Sequence, residues 1–160
     1  MNANEIKESL QLLPHPEGGF YRETYRSAFS LTNLEGESRN VATTIFYLLE
    51  DEQKSHFHRL RSDEMWFFHM GQSMEILLIR DGVLERLHLG PDVDKGDLLQ
   101  VIIPANTWFA ARLLNSKGYS LVSCMVAPGF DFRDFELGKA EELKKEYPLS
   151  GDVLEEFSLL

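Results

Sequence analysis

The chain has 160 residues, with 16 Lys and Arg against 26 Asp and Glu, and a formal net charge of −10 at pH 7. This charge repels phosphate backbones and anionic lipids, so it argues against nucleic-acid binding and against a membrane-surface role. The 43% hydrophobic content is ordinary for a globular protein, and the length predicts one domain. The single cysteine, Cys124, excludes an intrachain disulfide, and no apolar run approaches the ~18 residues of a membrane span, so a cytoplasmic protein is expected.

The first predicted element is a helix at residues 3–13, where apolar residues recur at helical spacing and Asn4 is the expected N-cap. Pro14 ends this helix and begins the loop PHPEGG at 14–19. The two glycines of that loop tolerate backbone angles that other residues resist. We expect Glu17 to hold the loop in place through a salt bridge with Arg22.

Beyond residue 20 the sequence is typical of β-structure, with β-branched and aromatic segments separated by turn signals. Asp81-Gly82 predicts a two-residue hairpin turn, because both residues tolerate the positive φ that matches strand twist. About eight short strands indicate a closed or sandwiched antiparallel sheet. The predicted strands cover 20–30, 41–49, 64–70, 73–80, 83–89, 98–103, 107–114 and 119–127.

The C-terminal part is predicted to be helical. A helix is expected at 137–147 and ends before Pro148. The last residues, 153–160, are apolar enough to pack on the strands or on a second subunit, and the sequence leaves both open.

The segment with the most chemical information contains His56, His58 and Glu64. In an extended chain His56 and His58 point to one face, and Glu64 opens the next strand after a short polar turn. Two neutral imidazoles and a carboxylate are a ligand set that suits Zn, Mn, Fe or Ni. The alternative is that the histidines are ordinary hydrogen-bonded strand residues.

These residues resemble the first motif of the cupin superfamily, in which two histidines precede a Glu and a Gly. The matching residues are His56, His58, Glu64 and Gly71. With the PHPEGG loop, the chain resembles over nearly its whole length the fifth cupin family, a domain of unknown function related to dTDP-sugar epimerase-like cupins. The resemblance implies an all-β fold, a double-stranded β-helix or jelly-roll barrel with a ligand cavity, and commonly a homodimer. It implies a single domain over 1–160, with the helix and loop at 1–19, the barrel at 20–130 and helical residues at 131–160.

Two departures from the family pattern bear on metal binding. Phe109 stands where the second cupin motif has its histidine, so the fourth usual metal ligand is absent. Five residues separate His58 from Glu64, where cupins usually have three or four. An apolar ring donates no lone pair to a metal, so the first departure weakens the metal hypothesis.

The same residues also suit chemistry without a metal. His56 or His58 is a candidate general base, oriented by Glu64 or Asp63, and Tyr47 is a candidate general acid. The related epimerases remove a proton beside a carbonyl and return it from the opposite face, so the resemblance implies an epimerase or isomerase of this kind.

A second set of residues is predicted to contact the ligand. Strand alternation places Thr43 and Ile45 inside with Tyr47. Aromatic rings with a few polar groups suit a small organic ligand, including a sugar ring. The aromatic residues predicted to contact the ligand are Trp66, Trp108 and Phe109. For each of them, the alternative is an ordinary core residue.

Three functional hypotheses follow. The first is a small-molecule enzyme with epimerase or isomerase chemistry on a carbohydrate-like carbonyl compound. The second is a metal-dependent cupin enzyme, a dioxygenase or isomerase, with His56, His58 and Glu64 as metal ligands. The third is a non-catalytic ligand-binding or storage-type barrel. Phe109 favours the first and third over the second.

Overall fold

The structure, a computed structural model, describes residues 1–148 and 151–158. Over these residues the chain forms three α-helices, two short 3₁₀ helices and thirteen strands. The α-helices are α1 (Ala3–Leu10), α2 (Ala140–Glu146) and α3 (Gly151–Phe157). The strands are β1 (Leu13–Pro14), β2 (Phe20–Arg26), β3 (Ser30–Thr32), β4 (Ser38–Asn40), β5 (Thr43–Glu50), β6 (Lys54–Leu60), β7 (Asp63–Gly71), β8 (Met74–Arg80), β9 (Val83–Leu89), β10 (Gln100–Ile103), β11 (Trp108–Leu113), β12 (Tyr119–Ala127) and β13 (Phe135–Leu137).

Two antiparallel sheets enclose the core. One has the strand order β1-β2-β5-β12-β7-β10 and the other β13-β6-β11-β8-β9, while β3 and β4 form a separate hairpin. The inner faces of both sheets contribute to one apolar cluster that contains Tyr47, Trp66 and Phe109. The all-β, jelly-roll barrel expected from the sequence is therefore confirmed.

Strand alternation decides which side chains enter the barrel. Ile45 and Tyr47 on β5 join the internal cluster, while Phe46 between them packs on the opposite face. On β7, Glu64 and Trp66 are buried, and the intervening Met65 is less so. The inward set predicted for β5, which is Thr43, Ile45 and Tyr47, is confirmed.

The N-terminal helix is shorter than predicted. It is capped by Asn2 and not by Asn4, because the Asn2 side chain accepts the Glu5 N–H while Glu5 bonds back to the Asn2 backbone. It ends at Leu10 because Gln11 adopts a left-handed conformation with φ of 54°. The next residues form β1 against β2, which brings the PHPEGG loop to the barrel.

The Asp81-Gly82 hairpin is confirmed. Asp81 and Gly82 have φ angles of 51° and 76°, and Arg80 pairs directly with Val83. The predicted strand at 20–30 is divided instead into β2 and β3, because Ser27 bonds to Ala42 and caps the Phe29 N–H. The predicted strands did not include β1, β4, β6 or β13.

Helices α2 and α3 cover the outer face of the five-stranded sheet. Leu143, Leu154 and Phe157 pack there against Phe57 and Trp108. The structure thus answers, for residues 153–158, the question left by the sequence, since they cover the barrel; Leu159 and Leu160 lie outside the described residues. Among the described helices, none has the length and apolar character needed to cross a membrane.

Candidate functional site

A cavity of about 330 Å³ opens at one end of the space between the two sheets. Its rim is the end where β5 and β7 begin and β12 finishes, since Val126 pairs with both Thr43 and Glu64. The PHPEGG loop and strand β6 supply polar wall residues. An aromatic segment at 130–135 forms part of the mouth.

The central polar contact of the cavity joins Glu17 and His58. The His58 Nε2 lies 2.9 Å from the Glu17 Oε2, and both side chains are almost fully buried. Burial opposes charge on both groups, but the partner's charge and hydrogen bond outweigh it, so the pKa of His58 is raised and that of Glu17 is lowered. We infer that His58 and Glu17 form a buried ion pair at neutral pH.

This pairing corrects two sequence-based expectations. The carboxylate that orients His58 is Glu17, and neither Glu64 nor Asp63 fills that role. Asp63 instead accepts the Ala105 N–H at 2.8 Å. Arg22 does not hold Glu17 either, because its guanidinium reaches Gln11.

His56 and Tyr47 both hold the loop that carries Glu17. His56 contacts the Glu17 carbonyl oxygen twice, with its backbone N–H at 3.0 Å and its Nδ1 at 2.7 Å. Tyr47 donates its hydroxyl to the Gly18 carbonyl at 2.7 Å. Neither side chain is part of the cavity wall, although both were predicted to be catalytic. Burial also raises the pKa of Tyr47 well above its ordinary value.

The close approach of this loop to β6 requires glycine. Gly18 has a φ of 109°, in the left-handed region, and a Cβ there would overlap the Lys54 carbonyl oxygen. The loop therefore lies directly on β6, where the contacts from His56 are made. This packing is the reason that a Glu from a surface-like loop becomes buried.

Glu64 is the second buried carboxyl group of the cavity wall. Its Oε1 accepts the Trp66 indole N–H at 2.8 Å, while its Oε2 has no hydrogen-bond partner among the described residues. Burial is the main reason that the pKa of Glu64 rises to about 7, and the charge of Glu17 adds to the rise while that of His58 opposes it. The Cys124 thiol neighbours this carboxyl, and burial raises its pKa as well.

The predicted ligand contacts fall into three groups. Thr43 and Ile45 lie on the cavity wall. Trp66 and Phe109 lie in the core behind it, where Trp66 fixes Glu64 and the Phe109 ring packs 4.1 Å from the His58 ring. Trp108 points to the outer face, beneath Arg59 and the C-terminal helices, because adjacent strand residues face opposite sides.

The predicted metal ligands do not fit a metal centre in this arrangement. The Nδ1 atoms of His56 and His58 each lie 2.7 Å from a backbone carbonyl oxygen, and the His58 Nε2 faces Glu17. Over residues 1–148 and 151–158, no group of three His, Cys, Asp or Glu side chains is placed to hold a metal ion. Three of the four ring nitrogens of these two histidines are thus already used in hydrogen bonds.

His15 and Glu17 are wall residues that sequence reasoning did not place in the site. The His15 Nδ1 accepts the Glu17 N–H at 3.2 Å, and the ring stands edge-on to Tyr21 at 4.6 Å. Burial lowers the pKa of His15, so its imidazole is neutral at pH 7. The signal available in the sequence was the loop itself, in which an acid and a histidine flank a proline just before two glycines.

The charges at the mouth are compensated. Arg26 binds both carboxylate oxygens of Glu23, at 3.0 and 2.7 Å, and also bonds to Asn40 and the Phe130 carbonyl. Asp131 contacts Arg133, which holds the pKa of that carboxyl well below its usual range. The two cations of the wall, Arg26 and His58, are thus each paired with a carboxylate.

Comparison with known proteins agrees with this architecture. The chain is 31% identical over 155 residues to the uncharacterized protein YML079W of Saccharomyces cerevisiae, which covers 88% of this chain and 77% of the yeast protein. A hypothetical protein from Leishmania major superposes with a TM-score of 0.94 at 38% identity, covering 100% of both chains. Protein SO0799 from Shewanella oneidensis gives 0.91 at 41% identity, covering 99% of this chain and 98% of that one.

The family is fixed by its sequence model. Residues 4–138 match the model described as cupin superfamily, DUF985. This range contains the PHPEGG loop and every wall residue discussed above. The chain therefore belongs to the DUF985 family of the cupin superfamily.

Proposed function

We propose that the protein binds a small, uncharged, carbohydrate-like carbonyl compound in the barrel cavity and isomerises or epimerises it by moving a proton beside the carbonyl. The observation that carries this proposal is the Glu64 carboxyl. It lies on the cavity wall, one of its oxygens lacks a hydrogen-bond partner among the described residues, and its pKa is about 7. A group with a pKa near the working pH is the most effective general acid or base.

The cavity supports a small neutral ligand. Its volume of about 330 Å³ is near the lower end of the range for small-molecule sites. His58 and Arg26 are paired with Glu17 and Glu23, so neither cation is available for a phosphate. The carboxyl of Glu64 adds negative charge when it ionises, which further disfavours an anionic substrate.

Glu64 takes the proton-transfer role that the sequence had given to other residues. Both nitrogens of His58 face acceptors, Glu17 and the His56 carbonyl, so the imidazole is not free to take a proton from a substrate. The Tyr47 hydroxyl is bonded to Gly18 behind the wall. The buried pair His58 and Glu17 acts through its fixed charges: burial raises the pKa of Glu64, the charge of His58 lowers it, and the charge of Glu17 raises it.

The proposal is tested by proton exchange with solvent. Wild-type protein incubated in D₂O with dihydroxyacetone or D-fructose is expected to exchange the protons beside the carbonyl, followed by proton NMR. Glu64→Gln is expected to lose at least about 100-fold in rate, since general acid–base catalysis contributes typically 10²–10⁴-fold. Glu35→Gln, the same change in an exposed turn, is the matched control and should keep the wild-type rate.

A thermal-shift comparison tests the substrate class separately. Neutral ketoses are expected to raise the melting temperature, because a ligand that binds only the folded state stabilises it by mass action. Dihydroxyacetone phosphate should give no such rise. Stabilisation by neutral ketoses without exchange in any of them would replace the enzyme by a non-catalytic binding barrel, and stabilisation only by phosphorylated ketoses would overturn the neutral-ligand proposal.

A second copy of the chain is the proposed protein partner. Cross-strand neighbours Ile102, Met65 and Met125 form an apolar row on the outer face of the six-stranded sheet. This row continues through Thr44 to Tyr25, and the exposure of Ile102 and Tyr25 exceeds half. An exposed apolar patch of this kind supports an interface. Sedimentation at micromolar concentration should show a dimer, and a monomer there would contradict the proposal.

A further inference from the structure

We propose that His15 is a second catalytic residue, which donates its Nε2–H to the carbonyl oxygen of the substrate while Glu64 moves the proton on the adjacent carbon. This inference rests on the proposed isomerase function. The geometry that carries it is the hydrogen bond at the other nitrogen of the ring, where the His15 Nδ1 lies 3.2 Å from the Glu17 backbone nitrogen.

That hydrogen bond fixes the tautomer. A backbone N–H only donates, so the His15 Nδ1 must accept and carries no proton. The single proton of the neutral ring therefore lies on Nε2. A protonated ring would lose the bond from Glu17, and burial also disfavours the charged form. The result is a neutral imidazole with one directed donor.

The residue that carries this donor belongs to the wall of the cavity. His15 lines the same cavity as Glu64, and its side chain is only 7% exposed. Edge-on packing against Tyr21 at 4.6 Å and Tyr47 at 5.8 Å restrains the ring. In the described part of the chain, the His15 Nε2 has no hydrogen-bond partner. A ligand oxygen can therefore accept a hydrogen bond from Nε2 without displacing another contact.

The step balances without any co-reactant. Ionised Glu64 takes the proton from the carbon beside the carbonyl, and the C–H electron pair becomes the carbon–carbon double bond of an enolate. The carbonyl π electrons move to the oxygen, where the His15 Nε2–H stabilises the charge by a hydrogen bond. Return of the proton from the Glu64 carboxyl to the same carbon regenerates the substrate, which carries deuterium when the step runs in D₂O, and the same return after the enolate has turned its other face to Glu64 gives the epimer. In an α-hydroxy substrate, a shift of the hydroxyl proton to the former carbonyl oxygen lets Glu64 protonate the former carbonyl carbon instead, which gives the isomer. A carboxylate base with a neutral imidazole as electrophile is an established pairing in isomerases.

Two substitutions of His15 distinguish the role of its Nδ1 from the role of its Nε2. In His15→Asn, the amide oxygen can accept the Glu17 N–H in place of Nδ1, but no donor reaches the position of Nε2. In His15→Gln, the longer side chain brings an amide N–H toward the position of Nε2. Removal of one donor to a developing oxyanion typically costs 10²–10³-fold in rate. We therefore expect His15→Asn to exchange dihydroxyacetone roughly 100-fold more slowly than wild type, with His15→Gln losing less than about tenfold.

A spectroscopic measurement on the wild-type protein does not depend on the substrate or on the folding of a variant. Nitrogen-15 NMR of histidine-labelled protein at pH 7 is expected to show His15 as the neutral tautomer with its proton on Nε2. A proton on Nδ1, or a fully protonated ring, would overturn the inference. Exchange by His15→Asn within twofold of wild type would overturn it as well. Absence of exchange in the wild type would instead remove the proposed isomerase function, and the catalytic role of His15 with it.

Discussion

Replacement of Glu64 by Gln is expected to change how stability depends on pH. In the folded protein the pKa of Glu64 is raised from 4.5 to about 7, chiefly by burial. Below about pH 4.5 the group is protonated in both the folded and the unfolded state and has no cost. As the pH rises toward 7, the unfolded chain ionises while the folded chain keeps its proton, so folding must take up a proton and stability falls. Above about pH 7 the loss is complete and constant.

The size of this change in stability follows from the pKa shift of Glu64. A rise of roughly 2.5 units at 1.36 kcal/mol per unit amounts to about 3 kcal/mol. Gln has no titration in this range, so the free energy of unfolding of Glu64→Gln minus that of wild type should increase by about 3 kcal/mol between pH 4 and pH 8. The difference between the two pH values cancels any constant cost of placing an amide beside Trp66.

Urea denaturation at several pH values measures this difference directly. The control is Glu35→Gln, whose exposed side chain should give a difference that does not change with pH. A Glu64→Gln difference that stays constant within about 1 kcal/mol from pH 4 to pH 8 would mean that the folded carboxyl ionises at its ordinary pKa. The general-base role of Glu64 would then lose its physical basis.

Three further substitutions address the loop and its ion pair. Gly18→Ala should lower the free energy of unfolding by about 3 kcal/mol, and the control Gly36→Ala should lower it by about 1 kcal/mol. Both glycines have positive φ, but only a Cβ at Gly18 meets backbone atoms. Equal losses in urea denaturation would contradict this. Tyr47→Phe should cost about 1 kcal/mol, since the Gly18 carbonyl loses its donor, and an unchanged urea midpoint would argue against the contact. Glu17→Gln should lower the pKa of His58 in an NMR titration and destabilise the fold by about 3 kcal/mol; an unchanged His58 pKa would show that Glu17 does not hold the charge.

The sequence predicted the parts of this protein that depend on local pattern. Strand alternation on β7 is consistent with the buried positions of Glu64 and Trp66, and Asp81-Gly82 correctly predicted one hairpin turn. Two adjacent residues on β11 show that the aromatic residue type alone does not predict which side chain faces the cavity. Trp108 and Phe109 were both expected at the cavity, yet strand geometry permits only one of two neighbours to face inward.

The carboxylate that pairs with His58 could not be predicted from spacing, because it comes from far away in the chain. Glu17 is 41 residues before His58, and it is brought there by β1 pairing with β2 and by the fit of Gly18 on β6. Pattern reasoning favours partners on neighbouring strands, so it selected Glu64. A loop with no periodicity offers no signal of which side chain will be buried.

The loop also explains why His56 and His58 are held in hydrogen bonds, although their spacing resembles a metal-binding motif. Each imidazole has two nitrogens, and the His56 Nδ1 bonds to the Glu17 carbonyl while both nitrogens of His58 face acceptors. Phe109 packs against the His58 ring at the position where the family pattern has a third histidine, which adds apolar contact where a ligand would be needed. The motif residues thus serve to anchor one carboxylate. Burial raises the pKa of Glu64 to about 7, the charge of the motif residue His58 lowers it, and the anchored charge of Glu17 raises it.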